Sequence, residues 1–404
     1  MLARKIIDLS MADLLRGMWY CLWPPRPGIA DRLGATFGAD LVTPMLSVRS
    51  GLDTLLQALQ LPSGSEVLVS AINVPAMFQI ADHHGLRCVP IDLDFVTLAP
   101  DAAQLEAAIT TRSRVLLVAH LFGGITPMHE LIEVAHRHGL LVIEDCAQSF
   151  AGTSGYLGHP DSDVVLFSFG PIKTCSALGG GLMLCRNDAR RERIETILAR
   201  YPRRSRAWFA RRLLKYASIR LLSSRLLYGT FLRLLGFFCE ETDRYLNGLA
   251  RNFTPGQWVE EIRWRPPLAM VALLAARITA FRPGSLVLRR RQGEDLASAL
   301  GPDQSPGHGL DAHSYWVCPI CVETPQAFID RARHSGLDVT QGADHLSIPG
   351  HLQDEMSPSI PAALPVARRI LQQAVFIPNQ QPLSRRHWDR LIEIAGTGNP
   401  PPPG

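Results

Sequence analysis

A lysine and an aspartate each stand just past an apolar stretch of this chain. Asp145 directly follows the stretch 140–144, and Lys173 comes five residues after the end of Val164–Ser168. Apolar stretches of this length predict buried strands. A lysine at the end of a buried strand loses its proton more easily than one in water, because desolvation lowers its pKa. The neutral amine can then form a Schiff base with an aldehyde.

Taken singly, both residues have ordinary explanations. A lysine after a strand is usually a solvated loop residue, and an aspartate there is usually a turn or a helix cap. Together they match what the aldehyde cofactor pyridoxal phosphate requires, because a carboxylate holds its ring nitrogen and a lysine holds its aldehyde. Ser168 before the lysine and three glycines at 179–181 after it favour that interpretation.

Alternating strands and helices are predicted from residue 45 onward, and they would position these side chains. Strands that alternate with helices of about ten residues imply a mostly parallel, doubly wound sheet, whose ligands lie beyond the carboxyl ends of the strands. The predicted strands are 66–70, 87–91, 115–119, 140–144, 164–168 and 181–185, and the predicted helices are 51–59, 75–84, 101–109, 127–138 and 267–278.

The length of 404 residues is enough for two domains. We expect an N-terminal lead-in over 1–45 and a large cofactor-binding domain over 46–255, which includes an insert at 200–239. A smaller C-terminal α/β domain is expected over 256–404, ending in a disordered proline-rich tail.

Composition and cysteine usage indicate a globular protein of a reducing compartment. Hydrophobic residues make up 47% of the chain and charged residues 19%, and eight cysteines are scattered without a disulfide framework. Cys318 and Cys321 form a CxxC that is interpreted as part of a strand, not as a metal or redox site. No signal peptide is apparent at the N-terminus, so we expect a cytoplasmic protein.

The insert at 200–239 is basic and apolar throughout. It carries ten Arg or Lys and no acid, so in a chain of net charge +4 the remainder carries −6. Its longest uncharged stretch, 226–232, is far shorter than the roughly 20 residues of a membrane span. Helices that pack on the enzyme body or on a dimer partner are one interpretation, and a helical hairpin on an anionic membrane is another. Nucleic acid is disfavoured as a partner, because so many leucines indicate burial.

Several motifs resemble the DegT/StrS-type sugar aminotransferases, which are pyridoxal phosphate enzymes of fold type I. They are HLFGG at 120–124, IEDCAQ at 143–148, SFGPIK at 168–173 and the glycine turn at 179–181. The resemblance covers roughly 45–195 well and 260–395 loosely.

The resemblance implies a role for each matching residue. Lys173 would be the Schiff-base lysine and proton shuttle, Asp145 would pair with the ring nitrogen, and Gln148 would contact the ring or its phenolic oxygen. The phosphate would be held by Ser168 and by the Ser50-Gly51 turn at a helix N-terminus.

Four further sites depart from the family pattern or are open to two interpretations. Asn73 or Val74 would face the cofactor ring where the family has a stacking aromatic residue. Arg263 stands nearest to a family Asn-x-Arg segment and would bind phosphate by charge. His120 is either a satisfied structural histidine or a contact to cofactor or substrate. Leu52 replaces the family's hydroxyl residue after the Ser-Gly turn.

The retained lysine favours transamination, with glutamate as donor and a keto sugar or related ketone as acceptor. A homodimer with the site at its interface is expected from the fold type. Two alternatives stay open: a pyridoxal phosphate enzyme of another reaction type, such as a lyase or a condensing synthase, and a non-catalytic regulatory relative. The insert leads us to expect that the protein works at the inner face of the cell membrane.

Overall fold

A computed structural model of the chain describes residues 7–23, 25, 28–37, 42–222, 258–341, 346–350 and 364–396. The end of the predicted insert, 223–239, and the predicted proline-rich tail lie outside the described residues.

A seven-stranded sheet forms the core of the larger unit. Its strands lie side by side in the order β1-β7-β6-β5-β4-β2-β3, and β7 runs antiparallel to its two neighbours while the other pairs are parallel. The central strands are buried along almost their whole length, as expected for parallel strands covered on both faces. The strands are β1 Val42–Met45, β2 Glu66–Ser70, β3 Arg87–Ile91, β4 Ser113–Ala119, β5 Leu141–Asp145, β6 Val164–Ser168 and β7 Gly181–Cys185.

Helices connect these strands and cover the sheet. They are α1 Met11–Leu22, α2 Ile29–Thr36, α3 Val48–Leu59, α4 Pro75–His83, α5 Ala102–Ala108, α6 His129–Arg137, α7 Asp188–Arg200, α8 Arg206–Leu222, α9 Trp258–Ile262 and α10 Leu268–Ala280. The lead-in therefore holds two helices and a strand that the sequence pattern did not predict. Helix α10 packs against α1, α2 and α8, so the chain still builds this unit after the predicted boundary at 256.

A second, smaller unit follows, which confirms the predicted α/β architecture. Its sheet has the order β8-β10-β9 and is antiparallel. The strands are β8 Cys318–Cys321, β9 Thr340–Gln341 and β10 Ala374–Ile377, and the helices are α11 Val287–Leu300, α12 Pro325–His334, α13 Pro365–Gln373 and α14 Arg385–Gly396. Cys318 and Cys321 lie buried in β8 as free thiols.

In the described part of the chain, we find no single helix that is both long and apolar enough to cross a membrane. The residues Leu268–Ala280 and Pro283–Leu300 meet that test only as a pair, and the two are bent by 85° relative to each other.

Candidate functional site

The ends of β5 and β6 meet at one edge of the large sheet. These strands are parallel neighbours, with Asp145 opposite Leu166, so Asp145 and Ser168 finish at the same edge. The chain then turns through the loop that carries Lys173 before β7 returns. Parallel pairing thus brings together polar groups that lie more than twenty residues apart in the sequence.

Asp145 is buried, with 6% of its surface exposed. Its Oδ1 accepts from the backbone N–H of Ala147 at 3.0 Å and its Oδ2 from Asn73 Nδ2 at 3.3 Å. Burial raises the pKa of this carboxyl, although the Ala147 N–H, the charge of Lys173 and the Asn73 amide act in the opposite direction. Burial is the largest of these effects, so the charged form of this carboxylate is disfavoured in this setting.

Asn73 is oriented toward Asp145 by its own neighbours. Its Oδ1 accepts from the Val74 N–H at 2.7 Å, which leaves the amide nitrogen to face the carboxylate. Its backbone exchanges two hydrogen bonds with Ser347, at 3.1 and 2.8 Å. Of the two residues predicted to face the ring, Asn73 is in contact with Asp145, while Val74 packs against a core of α3, α4 and sheet residues.

A turn places Ser168 and Lys173 on the same side of the loop. A Cβ built on Gly170 would lie 3.8 Å from both Lys173 Cγ and Ser168 Oγ. The Lys173 N–H donates to the Gly170 carbonyl at 3.0 Å, and the loop is closed by the Phe169 N–H, which donates to the Gly180 carbonyl at 3.0 Å. The Ser168 hydroxyl and the Lys173 side chain therefore lie close together beside Gly170.

The loop is held in place by three distant parts of the chain. Trp316 Nε1 donates to the Ile172 carbonyl at 2.8 Å, and Arg289 donates to the Thr174 hydroxyl at 3.4 Å from each of its terminal nitrogens. The Cys175 N–H donates to Asp8 Oδ2 at 2.6 Å. Contacts on residues 172, 174 and 175 thus fix the backbone on both sides of Lys173.

Trp316 also covers the lysine itself. Lys173 Nζ lies 3.9 Å from the centre of the Trp316 ring, a cation–π distance, and Trp316 is 8% exposed. Sequence reasoning missed this residue, because WVCPICV was interpreted only as a strand of the smaller unit. The signal was a tryptophan at the start of that strand, and its meaning depends on how the two units pack.

The N-terminus of α3 faces the end of β6. Gly181, opposite Ser168, approaches this terminus so closely that an added Cβ would lie 3.0 Å from the Ser47 carbonyl carbon and the Val48 nitrogen. Ser47 caps the helix, and its Oγ accepts from the Ser50 N–H at 3.2 Å.

The predicted phosphate turn is therefore the first turn of a formed helix. The Gly51 N–H donates to the Ser47 carbonyl at 3.0 Å, and its Cα faces Leu166 of the sheet. The backbone N–H groups of Ser50 and Gly51 are already used in hydrogen bonds to Ser47. The hydroxyls of Ser47 and Ser50 lie 3.1 Å apart at the start of the helix. Leu52 is buried in the core.

Gln148 is anchored by its oxygen. Its Oε1 accepts from the Phe122 N–H at 2.8 Å, and Phe122 adopts a left-handed backbone with φ of 59°. This bond leaves the Gln148 amide nitrogen as the donor that can point elsewhere.

His120 lies in a closed hydrogen-bond network. Its Nδ1 accepts from the Thr126 N–H at 3.0 Å, so its Nε2 carries the proton and donates to Glu144 at 2.8 Å. Glu144 also accepts from the Tyr156 hydroxyl. Both ring nitrogens have protein partners, so His120 is not available to bind a cofactor through them.

The same network accounts for a cluster with metal-ligand chemistry. Among the described residues, His120, Glu144 and Cys146 lie close enough together to hold an ion. The histidine and the carboxylate are hydrogen-bonded to each other, and burial raises the pKa of the Cys146 thiol well above its usual value. A protonated thiol and a protonated Nε2 are poor ligands.

Arg263 forms a bidentate ion pair with a carboxylate of α3. Its Nε and Nη2 donate to the two oxygens of Asp53 at 3.0 and 2.9 Å, and Asp53 is completely buried. His84 Nε2 lies 2.9 Å from the same carboxylate. Burial alone would raise the pKa of Asp53, but the hydrogen bonds and charges of His84 and Arg263 lower it to about 2. The Arg263 guanidinium thus neutralises a buried carboxylate of α3.

The arrangement around Lys173 fits pyridoxal phosphate. Lys173 offers the primary amine for the aldehyde, and the buried Asp145 lacks the positive charge that a protonated ring nitrogen would bring. Ser168 and the start of α3 offer hydroxyls and a helix N-terminus at the other end.

Comparison with known proteins relates this chain to a group of aminotransferases. The sequence model of the DegT/DnrJ/EryC1/StrS aminotransferase family matches residues 5–210, just over half of the chain. A 105-residue segment is 38% identical to a pleiotropic regulatory protein of Geobacillus stearothermophilus, covering 26% of this chain and 28% of that protein. A 109-residue segment is 40% identical to the GDP-perosamine synthase of Caulobacter vibrioides, with the same two shares. The chain thus matches little more than a quarter of the length of these curated relatives.

Among solved structures, an aminotransferase from Streptoalloteichus hindustanus superposes with a TM-score of 0.70. The match covers 98% of both chains at 17% sequence identity, so it shows a common fold.

Proposed function

Because this chain belongs to the DegT/DnrJ/EryC1/StrS aminotransferase family, we propose that it is a pyridoxal phosphate-dependent aminotransferase. It takes an amino group from glutamate and passes it to a keto sugar or a related ketone. The observation that carries this proposal is that Asp145, buried at the end of β5, lies within the electrostatic influence of Lys173, which follows the adjoining strand β6. The relative from Caulobacter vibrioides is named for the synthesis of GDP-perosamine, which supports a sugar as acceptor.

The cofactor supplies an aldehyde that takes up the amine and a ring that withdraws electrons. Asp145 would hold the proton on the ring nitrogen, and the Asn73 amide keeps that carboxylate oriented. Lys173 Nζ would hold the aldehyde and would move a proton at the substrate carbon, a role worth about 10²–10⁴-fold in rate. Ser168 and Ser50 would bind the phosphate, and the Gln148 amide nitrogen would contact the ring or its phenolic oxygen. Asn73 also borders the ring, beside Val74.

Lysine mapping tests the cofactor assignment directly. The whole chain has only three lysines, Lys5, Lys173 and Lys215. Borohydride reduction of the protein with bound pyridoxal phosphate, followed by peptide mapping, should place the label on Lys173 alone. Lys173→Ala should abolish the label, and Lys215→Ala is the matched control that should retain it. A label on another lysine, or none, contradicts the proposal.

Donor titration separates transamination from the two alternatives. Glutamate should convert the visible absorbance of the bound cofactor to that of its amine form, and a keto acceptor should restore it. A protein that binds cofactor but responds to no amino donor would be an enzyme of another reaction type. A protein that binds no cofactor would be a regulatory relative, a role that the name of the Geobacillus stearothermophilus relative suggests for that protein.

A homodimer is part of the proposal. The support is the fold type, whose enzymes are usually homodimers with the site at the interface. Sedimentation equilibrium over a range of concentrations should give twice the chain mass of 44.5 kDa, and a monomer at all concentrations would exclude it.

A further inference from the structure

The outer face of α1 is an exposed apolar stripe. Leu15, Trp19, Leu22 and Trp23 expose 69, 55, 61 and 56% of their surfaces. Their spacing places them along one side of the helix. The rings of Trp19 and Trp23 stack with centroids 4.2 Å apart. Large apolar residues grouped in this way on a surface mark an interaction site, whereas single ones do not.

The opposite face of α1 is buried in the core, so the apolar stripe is held facing outward. Leu14, Gly17 and Cys21 are buried. A Cβ added to Gly17 would lie 2.8 Å from Leu213 Cδ2 of α8, so the two helices are in close contact. The stripe therefore faces outward because the other side of the helix is part of the core.

Helix α8 runs antiparallel beside α1 and adds positive charge. Arg206 donates to the Cys21 carbonyl at 3.2 Å near one end, and Arg220 lies 3.5 Å from the Ile7 carbonyl near the other. One face of α8 buries Phe209, Leu213 and Tyr216. This confirms for 206–222 the interpretation that the insert packs on the enzyme body.

The side of α8 opposite its buried residues is basic. Arg211 and Lys215 are exposed there, and so is Leu214, at 57%. We refer to these three residues and the four of the α1 stripe as the α1–α8 face. The acids of the adjoining segment, Asp8 and Asp13, are both paired with Arg277, which neutralises one of their two negative charges.

We propose that the α1–α8 face binds the surface of an anionic lipid bilayer. Tryptophan and leucine enter the boundary between headgroups and acyl chains, and arginine and lysine attract anionic headgroups. No acid occurs from 200 to 239, and beyond α8 the sequence adds Arg225 and Arg233 among leucines and aromatic residues. Two other occupants fit this face less well. A second copy of this chain would have to present an acidic and apolar surface to it. A nucleic acid would leave Leu15 and Leu22 without an apolar partner.

Vesicle flotation tests the proposal with the full-length protein. Vesicles of equimolar phosphatidylcholine and phosphatidylglycerol should bring the protein to the top of the gradient at low salt, and vesicles of phosphatidylcholine alone should not. Binding should weaken strongly at high salt, because ionic strength screens surface charges. Equal binding to both vesicle types, or binding to neither, overturns the proposal.

Paired substitutions identify the face. R211Q/K215Q should lower the partition coefficient about 25-fold, since each basic residue near an anionic surface contributes about fivefold. W19S/W23S should lower it by about tenfold or more through loss of apolar burial. The matched controls are R385Q/R386Q and V287S, at exposed positions elsewhere, and these should bind like the wild type.

Two further measurements keep the result unambiguous. Far-UV circular dichroism with heating must show that each variant is folded, and a face variant that is folded yet binds like the wild type overturns the proposal. If W19S/W23S instead converts a dimer to a monomer in sedimentation, while the wild type ignores vesicles, the face is an interface between copies and the proposal is wrong. Lys173→Ala should bind vesicles normally, so membrane binding and catalysis can fail separately.

Discussion

The pairing of Arg263 with Asp53 leads to a sharp prediction, because sequence comparison suggested a different role for this arginine. In the structure the guanidinium donates to both oxygens of a fully buried carboxylate. We expect Arg263→Gln to destabilise the protein and to leave the affinity for pyridoxal phosphate nearly unchanged.

The magnitude follows from the pKa of Asp53. A lowering from 3.8 to about 2 corresponds to about 2 kcal/mol of stability at neutral pH. Because the folded-state pKa is depressed, that stability is present above pH 4 and is lost as the pH falls toward 2. Removing one member of a buried ion pair costs about 3–5 kcal/mol, but His84 and Gln57 still contact this carboxylate. We therefore expect a loss of about 2–3 kcal/mol.

Urea unfolding at neutral pH measures this loss as a shift of the midpoint at unchanged slope. The double variant D53N/R263Q should be less destabilised than the sum of the two single variants, because each single change removes the same pair. Arg390→Gln breaks an exposed pair with Glu393 and is the matched control, with an expected change below about 0.5 kcal/mol. Unchanged stability together with a tenfold weaker cofactor affinity would refute the reasoning and would return Arg263 to the phosphate.

Three other predictions concern the site and the smaller unit. Asn73→Ala removes a donor to the Asp145 carboxylate, so the pKa of Asp145 should rise and the acidic limb of the activity–pH profile should move to higher pH; an unmoved limb would contradict this. Trp316→Leu should speed cofactor loss more than Trp316→Phe, which keeps a ring over Lys173 but cannot donate to Ile172. Equal rates of loss for both variants would show that the ring of Trp316 has no effect on Lys173. Burial lowers the pKa of His313 to about 3, so between pH 7 and 5 a proton binds to this histidine in the unfolded chain but not in the folded one. The free energy of unfolding should therefore fall by about 2 kcal/mol over that range. His313→Gln should reduce this pH dependence, and an equal dependence in both proteins would show that another group titrates.

The strands of the large sheet were predictable from sequence because each is a short apolar stretch between turn residues. β2, β3, β6 and β7 have the predicted bounds, and β5 is shifted by one residue. That shift makes Asp145 the last residue of the strand. Helix α1 of the lead-in was missed because it carries large apolar residues on its exposed side as well as on its buried side, so it has no purely polar side.

The functional residues divide in the same way. Lys173, Asp145 and Ser168 were identified because they follow predicted strands, and parallel pairing places such residues at one edge of a sheet. The sequence left the roles of Arg263 and His120 open, because their partners Asp53 and Glu144 become neighbours only when the chain folds. Sequence spacing carries no information about which charge neutralises which.

The amine and the carboxylate near the ends of β5 and β6 could be predicted from strand pattern and residue type, since these suffice to place the two groups at one edge of the sheet. How that amine is held depends on the folded structure. Asp8, Arg289 and Trp316 reach the lysine loop from the N-terminal segment and from beyond α10, at separations of more than one hundred residues. Such contacts depend on burial and on the packing of two units, and these are properties of the folded chain as a whole.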